Sequence, residues 1–184
     1  MYSLAIQNEY GELLNLTGNS AYTVLTVTGT NPPPATINTA NIAGVDGTRF
    51  NSSKMNQRNI VINLNIEQPI EQNRLALYRF IRVKRKLRIF YKNSDRDVYI
   101  DGYVEKLECN AFTNKVIAQI SIVCPFPYFR TQTPTTRASA TSHSFTYNGS
   151  VECGAEFVFS IITSTNTFGV VDGSGNLMKL AANI

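Results

Sequence analysis

The sequence lacks several residues on which common enzyme and metal chemistry depends. Its 184 residues include no tryptophan and a single histidine, His143, which lies in a polar stretch. The three cysteines, Cys109, Cys124 and Cys153, form no Cys-x-x-Cys pair, which excludes a zinc ribbon or a thioredoxin-type site. No Ser-His-Asp or Cys-His constellation is evident either. We therefore predict a protein that is not an enzyme, binds no metal or cofactor and keeps its cysteines as buried thiols.

Charge and long apolar runs are also scarce. Charged residues make up 16% of the chain and hydrophobic residues 43%, which is typical of a folded rather than a disordered protein. No run approaches the roughly 20 apolar residues of a membrane-spanning helix. Residues 1–11 lack the basic and apolar regions of a signal peptide. We expect neither a membrane span nor a secretory leader.

Asparagine and threonine, by contrast, are abundant, with 19 and 18 residues. Asparagine favours turns and threonine favours strands, so the composition indicates a β-rich chain with many loops. Apolar residues that alternate with polar ones predict strands at residues 2–8, 13–16, 22–28, 59–66, 87–91, 98–108 and 115–124. The three prolines at 32–34 predict a rigid loop, and the polar residues 51–56 predict another.

One helix is predicted, at about residues 70–82. Leu77, Phe80 and Ile81 fall on one face of it, and acidic and basic residues lie at the ends that the helix dipole favours. The fold class is therefore mainly β (α+β), a β-sandwich or split barrel with one helix. The predicted domains are residues 1–130, a linker rich in Thr, Ser and Pro at 131–144, and a β-domain at 145–184. In the last region we predict strands at 145–147, 155–162 and 177–180, with a turn at 169–176.

The basic charge is concentrated in one segment. Residues 74–96 hold nine basic residues and one acid, whereas the rest of the chain holds eight basic residues and twelve acids. The next strand carries acids, of which Asp97, Asp101 and Glu105 share parity. Because opposite charges lie on adjacent elements, we predict a subunit or partner interface. Its candidate residues are Arg74, Arg79, Arg82, Lys84, Arg85, Lys86, Arg88, Asp97, Asp101, Glu105 and Glu108. Contact with nucleic acid is a less favoured alternative, since the interleaved Phe80 and Phe90 fit a helix face and a strand.

Six segments occur together in one order. They are IQNEYGELLNLT at 6–17, VDGTRFNSSK at 45–54, RNIVI at 58–62, RLALYRF at 74–80, YIDGYVE at 99–105 and ISIVCPFPYF at 120–129. Over residues 1 to about 129 the chain resembles the distal tail protein (Dit) family of long-tailed bacteriophages, also called siphovirus tail components. The resemblance rests on the ordered set of segments rather than on any single motif.

The resemblance implies a structural role in the virion, at the tip of the phage tail, for a protein made in the host cytoplasm. Such proteins form hexameric rings around the DNA channel and join the tail tube to tip, hub or fibre proteins, with DNA as a transient partner. A β-sandwich with one helix and an extended hairpin builds the ring, and a galectin-like β-sandwich projects from it. Residues 145–184 are fewer than such a sandwich needs, so we expect either a fragment or a reduced second domain.

Two other functions remain open from the sequence. One is a carbohydrate- or receptor-binding β-domain that uses aromatic residues such as Tyr147 or Tyr128 and Phe129. The other is a tail-tube subunit, whose fold is closely similar and which stacks as a polymer instead of closing as an end ring.

Overall fold

The computed structural model describes residues 2–110, 112–113, 115–133, 136, 147–154, 156–158, 167–171 and 177–181. They belong to two units, Met1–His143 and Ser144–Ile184. The described part of the first unit contains ten strands and one helix. In chain order these are β1 (Ser3–Asn8), β2 (Leu13–Asn15), β3 (Tyr22–Thr28), β4 (Ala35–Asn41), β5 (Thr48–Met55), β6 (Arg58–Ile66), α1 (Ile70–Phe80), β7 (Lys86–Lys92), β8 (Asp97–Cys109), β9 (Ile117–Cys124) and β10 (Arg130–Thr131).

Most of these strands form one antiparallel sheet in the order β2-β1-β7-β8-β9-β6-β3. The thirteen-residue β8 connects its two halves. Tyr103 pairs with Lys86 of β7 on one edge and with Val123 of β9 on the other. The short β10 pairs with β8 at Tyr99. Because Tyr99 also pairs with Phe90 of β7, β10 must lie on the opposite edge of β8, which is the edge that pairs with β9 further along the strand. The chain therefore returns to β8 after β9.

A single apolar core lies against this sheet. The buried residues Leu4 and Ile6 of β1 belong to the same cluster as Ile62 and Leu64 of β6, although β1 and β6 lie near opposite ends of the strand order. The sheet must therefore curl around the core. Residues 60, 62, 64 and 66 of β6 are buried while those between them are partly exposed, as the alternation predicts. The mainly β fold with one helix is confirmed.

The helix α1 packs against the core through the predicted face. Leu77 is fully buried, and Ile81, just beyond the helix end, is 2% exposed. The hydroxyl of Tyr22 on β3 donates a hydrogen bond of 2.8 Å to the carbonyl of Asn73, which attaches the helix to the sheet. The helix ends at Phe80, two residues before the predicted end, because Ile81 adopts an extended backbone that carries its side chain into the core.

Residues 51–56 correct the sequence analysis, since they were predicted to form a loop. Residues 51–55 belong to β5, which pairs with β4 in a separate two-stranded hairpin. Almost every side chain of the hairpin is exposed. Because no side of β5 is buried, residues 51–55 show no alternation of apolar and polar residues in the sequence. Their serines and asparagine favour turns instead. The three prolines at 32–34 do form a loop, which leads into β4.

The second unit contains one antiparallel hairpin in its described part, β11 (Thr167–Val171) paired with β12 (Leu177–Ala181). The strand predicted at 177–180 is confirmed. The prediction of a turn at 169–176 is wrong for Gly169–Val171, because these residues belong to β11 and pair with β12. Residues 156–158, predicted to lie in a strand, have no strand pairing, and the rest of that predicted strand lies outside the described residues. The described part contains no helix long and apolar enough to span a membrane.

Gly102 lies on the inner face of β8, where the two halves of the sheet meet. A β-carbon added there would lie 2.6 Å from Ile122 Cγ2 and 2.9 Å from the carbonyl oxygen of Val123. The backbone oxygen cannot move without disturbing the pairing of β9. Close approach of β8 and β9 thus requires a residue without a side chain at this position.

We predict that Gly102→Ala lowers the free energy of unfolding by about 2 kcal/mol, because overpacking forces β8 and β9 apart. Chemical denaturation checks this. Gly154→Ala is the control, since an added β-carbon there meets no atom of the described residues within 4 Å, and it should change stability by less than about 0.5 kcal/mol. Equal effects of the two substitutions would contradict the close-approach explanation.

Candidate subunit interface

The hairpin of β4 and β5 has one apolar face and one polar face. Cross-strand pairs place Ile37 opposite Ser53, and Ala35 opposite Met55, on one face. Thr36 pairs with Lys54 and Asn38 with Ser52 on the other. The polar face is held by its own side-chain contacts, such as Asn38 Nδ2 donating to Ser52 Oγ at 2.9 Å. The hairpin is therefore amphipathic, although neither face contacts the core.

An irregularity in the pairing enlarges the apolar face. The register shifts between Asn38 and Thr39, so that Thr39 pairs with Phe50 and Asn51 has no cross-strand partner. Without this bulge, Phe50 would point to the polar face. With it, Phe50 lies on the same face as Ile37 and Met55. Phe50 and Ile37 are 60% and 63% exposed, so this face presents large apolar side chains to solvent.

The predicted charged residues of β7 and β8 lie together on the outer face of the sheet. Arg88 and Asp101 are cross-strand partners, with Arg88 Nε 2.6 Å from Asp101 Oδ1 and Nη2 3.0 Å from Oδ2. Lys86 Nζ lies 3.1 Å from Asp101 Oδ2, and Lys92 pairs with Asp97 at 2.8 Å. Hydrogen bonds from Arg88 hold the pKa of Asp101 below its usual range, and the carboxylate raises the pKa of Arg88. These charges thus satisfy one another within the chain.

Two further acids of β8 join the same outer face. A register shift between Val104 and Lys106 changes the alternation, so that Leu107 packs against the core and Glu108 points outward like Asp101. Glu105 accepts a 2.9 Å hydrogen bond from the Ser121 hydroxyl, and Glu108 pairs with Lys106 at 2.5 Å. The structure therefore groups all four predicted acids on one face, which parity alone predicts only for three.

The remaining predicted cations lie near α1 and the start of β7. Arg74 pairs within the helix with Glu71 at 2.6 Å, and this carboxylate raises the pKa of Arg74. Arg85 reaches Glu9 at 3.4 Å. Within the described part of the chain, Arg79, Arg82 and Lys84 are exposed and have no carboxylate within salt-bridge distance. These three cations thus lie in the last turn of α1 and just after it.

An open groove of about 470 Å³ lies beside these cations, between the turn after β1 and the end of α1. The guanidinium of Arg82 lies 6.0 Å from the ring centre of Tyr10, which is itself 66% exposed. Backbone bonds fix the neighbouring turn, since Lys84 donates its amide to the Val104 carbonyl at 2.8 Å. The groove combines aromatic surface with positive charge; it is lined by Asn8, Tyr10, Glu12, Ala76, Arg79, Phe80 and Arg82.

The described residues bear on the predicted metal and cysteine chemistry. They contain no group of three or more His, Cys, Asp or Glu side chains that could hold a metal ion. Cys124 is fully buried as predicted, and burial raises the pKa of its thiol to about 11, so it stays protonated at neutral pH. Cys109 is partly buried, whereas Cys153 is exposed, so the prediction of buried thiols is wrong for Cys153.

Residues 18–124 match the family model of the phage tail protein RIFT-related domain. The chain belongs to this family of phage tail proteins. The match spans more than half of the sequence and confirms the resemblance to siphovirus tail components. It covers β3 through β9, and therefore both the hairpin and the charged outer face.

Solved phage structures share the fold. The Dit protein of phage SPP1, described as a paradigm of the hub adsorption apparatus in phages that infect Gram-positive bacteria, is 17% identical with a TM-score of 0.51. The alignment covers 67% of this chain and 50% of that one. A component of the phage P2 baseplate in its Ca-activated conformation is 13% identical, with a TM-score of 0.54 and coverages of 66% and 43%. This chain thus aligns with about half or less of each of those proteins. No curated protein matches it in sequence.

We predict that Asp101→Asn lowers the free energy of unfolding by about 1 kcal/mol at pH 7, because it removes a bidentate ion pair that is only partly exposed. The folded-state pKa of Asp101 is depressed, so this stability is present above the unfolded pKa of about 3.9 and is lost as pH falls through the folded value. Chemical denaturation at pH 7 and at low pH checks this. Glu108→Gln, in a more exposed pair, is the control with a smaller effect; a pH-independent difference between wild type and Asp101→Asn would contradict the ion-pair account.

Proposed function

We propose that this protein is a structural subunit of the phage tail tip that assembles into a closed ring around the DNA channel. Its membership of a phage tail family and its fold, shared with a Dit protein and a baseplate component, support this role. A hexamer is the stoichiometry that the resemblance implies. The ring would join the tail tube to hub or fibre proteins, with passing DNA as a transient partner, and the protein would act through these surfaces rather than by catalysis.

The observation that carries the proposal is the amphipathic hairpin. A two-stranded hairpin is only marginally stable in water by itself. This one projects seven to eight residues per strand and exposes Ile37 and Phe50, at 63% and 60%. Burying such side chains against a second copy stabilises both the hairpin and the assembly. The hairpin and the surface it covers are different, so the contact is head-to-tail and closes into a ring when the rotation is suitable.

The predicted charged residues contribute to the proposed assembly in addition to the hairpin. Asp97 and Asp101 are paired within the chain. Among the predicted interface residues, Arg79, Arg82 and Lys84 are exposed and have no carboxylate partner in the described part, so we assign these three to an acidic patch on a neighbouring subunit or ring. Arg85 and Lys86 are already paired with Glu9 and Asp101, so their reversal would also disturb the chain's own ion pairs. The proposed interface thus includes the groove beside α1 in addition to the hairpin.

We predict that Phe50→Asp abolishes assembly, because a carboxylate on the apolar face cannot be buried without a partner. Light scattering should give the monomer mass for this variant and a multiple of it for the wild type, with rings in negative-stain images. Asn38→Asp is the matched control: it introduces the same charge on the polar face of the same hairpin and should assemble normally. A Phe50→Asp variant that forms rings like the wild type would exclude the hairpin as the contact, and wild-type filaments would favour the tail-tube function.

A second prediction concerns the groove beside α1. The double change Arg79→Glu and Arg82→Glu should weaken subunit association by about tenfold at low ionic strength, and the difference should shrink as salt screens the charges. Sedimentation at several salt concentrations measures this. Arg96→Glu reverses one exposed charge elsewhere in the basic segment and controls for charge reversal outside the groove. Association that is unchanged at every salt concentration would remove these arginines from the interface.

A further inference from the structure

Arg58 lies at the boundary between the sheet and the hairpin. The paired strands β3 and β6 continue into the paired strands β4 and β5, but the loop of residues 29–34 and residues 56–57 interrupt the ribbon. The amide of Asn56 donates to the Pro34 carbonyl at 2.9 Å and closes the base of the hairpin. Arg58 is the first residue of β6 after this interruption and is 6% exposed.

The guanidinium of Arg58 connects three separate parts of the backbone. Its Nη1 donates to the carbonyls of Gly29 and Asn31 at 2.6 and 2.5 Å, in the loop that rises into β4. Its Nε donates to the carbonyl of Pro127 at 2.8 Å, in the turn between β9 and β10. Its Cζ lies 4.8 Å above the ring of Phe129. One side chain therefore ties the hairpin loop to β6 and to the turn after β9.

The charge of Arg58 is held by three carbonyl dipoles and the face of the Phe129 ring. Among the described residues, no carboxylate lies within salt-bridge distance of it. Burial lowers its pKa, but arginine remains charged at any physiological pH. A buried charge is tolerated only where hydrogen bonds compensate its desolvation, so the three carbonyls must stay converged on it. The planar fork of arginine suits this arrangement, whereas lysine offers only a point charge.

Gly29 adds a second restraint at the same place. Its φ of +82° lies in the left-handed region, and a β-carbon on it would lie 1.9 Å from the carbonyl oxygen of Asn59. The loop is therefore pressed against β6 next to Arg58 as it leaves the sheet. Its path into the hairpin is fixed from one side by backbone contact and from the other by the guanidinium.

We propose that Arg58 is the positioning residue of the hairpin: it sets the direction in which β4 and β5 leave the sheet, and so governs assembly without lying in the interface. Its effect on assembly rests on the proposed function, whereas its effect on the hairpin does not. The hairpin pairs with no other described strand, so its base is the place where its orientation can be controlled.

Hydrogen exchange followed by mass spectrometry on the full-length chain tests this, together with light scattering. In Arg58→Met, amides of residues 35–55 should exchange about tenfold or more faster than in the wild type, while those of β7 and β8 keep their protection. Arg58→Lys keeps the charge but loses the fork, and it should show the same hairpin-restricted change to a smaller extent. It carries the test if Arg58→Met does not fold. The oligomeric mass should fall in both variants.

Two controls separate positioning from general destabilisation. Ile89→Val trims the core on β7, so its loss of protection should be spread over the sheet rather than confined to the hairpin. Arg96→Met removes an exposed arginine and should change neither measurement. The proposal would be overturned if the hairpin amides of both Arg58 variants exchanged at the wild-type rate. It would also be overturned if their exchange rose only in proportion to that of the rest of the sheet, as in Ile89→Val. A wild type that is monomeric would count against the ring, whereas the exchange pattern would still decide the role of Arg58.

Discussion

The dependence of both halves of the sheet on one strand is the constraint from which the rest of the structure follows. β8 pairs with β7 over its first half and with β9 over its second, and β10 pairs with it again. Gly102 lets the inner face of β8 approach β9, and the bulge after Val104 turns Leu107 inward. Because the inner face is fully used by the core, the charged residues of β8 all project to the outer face. A fold with a different register would lose the core and the ion pairs together.

This arrangement divides the surface into two kinds. On the outer face of β7 and β8, acids and bases are neighbours across strands, so they satisfy one another and little net charge remains. At the end of α1 and on the apolar face of the hairpin, several side chains are left uncovered: Arg79 and Arg82 are exposed cations, and Phe50 and Ile37 are exposed apolar groups. A side chain that its own chain leaves uncovered is available to another chain. The unpaired surfaces, rather than the most highly charged strand, are therefore where association is physically favoured.

Much of the fold could be predicted from periodicity because core burial leaves a pattern in the sequence. The alternation in β6 and the face formed by Leu77 and Ile81 are direct consequences of packing on one side. Residues 51–55 of the hairpin were predicted as a loop because their strand has no buried side, and only the bulge places Phe50 on the same face as Ile37. The basic and acidic segments were found from composition, but their pairing within the chain depends on cross-strand register, which no single segment contains.

Arg58 shows a further limit of local patterns. In the sequence it is one of seventeen basic residues, immediately before an apolar run, where a solvated strand end is the ordinary expectation. Its burial depends on carbonyls that come from residues 29 and 31 on one side and 127 on the other. Those carbonyls converge only after β3, β6 and β9 have paired. A hydrophobic residue at this position would leave three buried carbonyl acceptors without donors. Once the turn after β9 and the hairpin loop meet there, burying the arginine charge therefore costs less free energy than leaving those carbonyls unsatisfied. The same convergence ties the hairpin base to the turn that returns the chain to β8, so the exposed apolar face of the hairpin is connected to the strand on which the sheet depends.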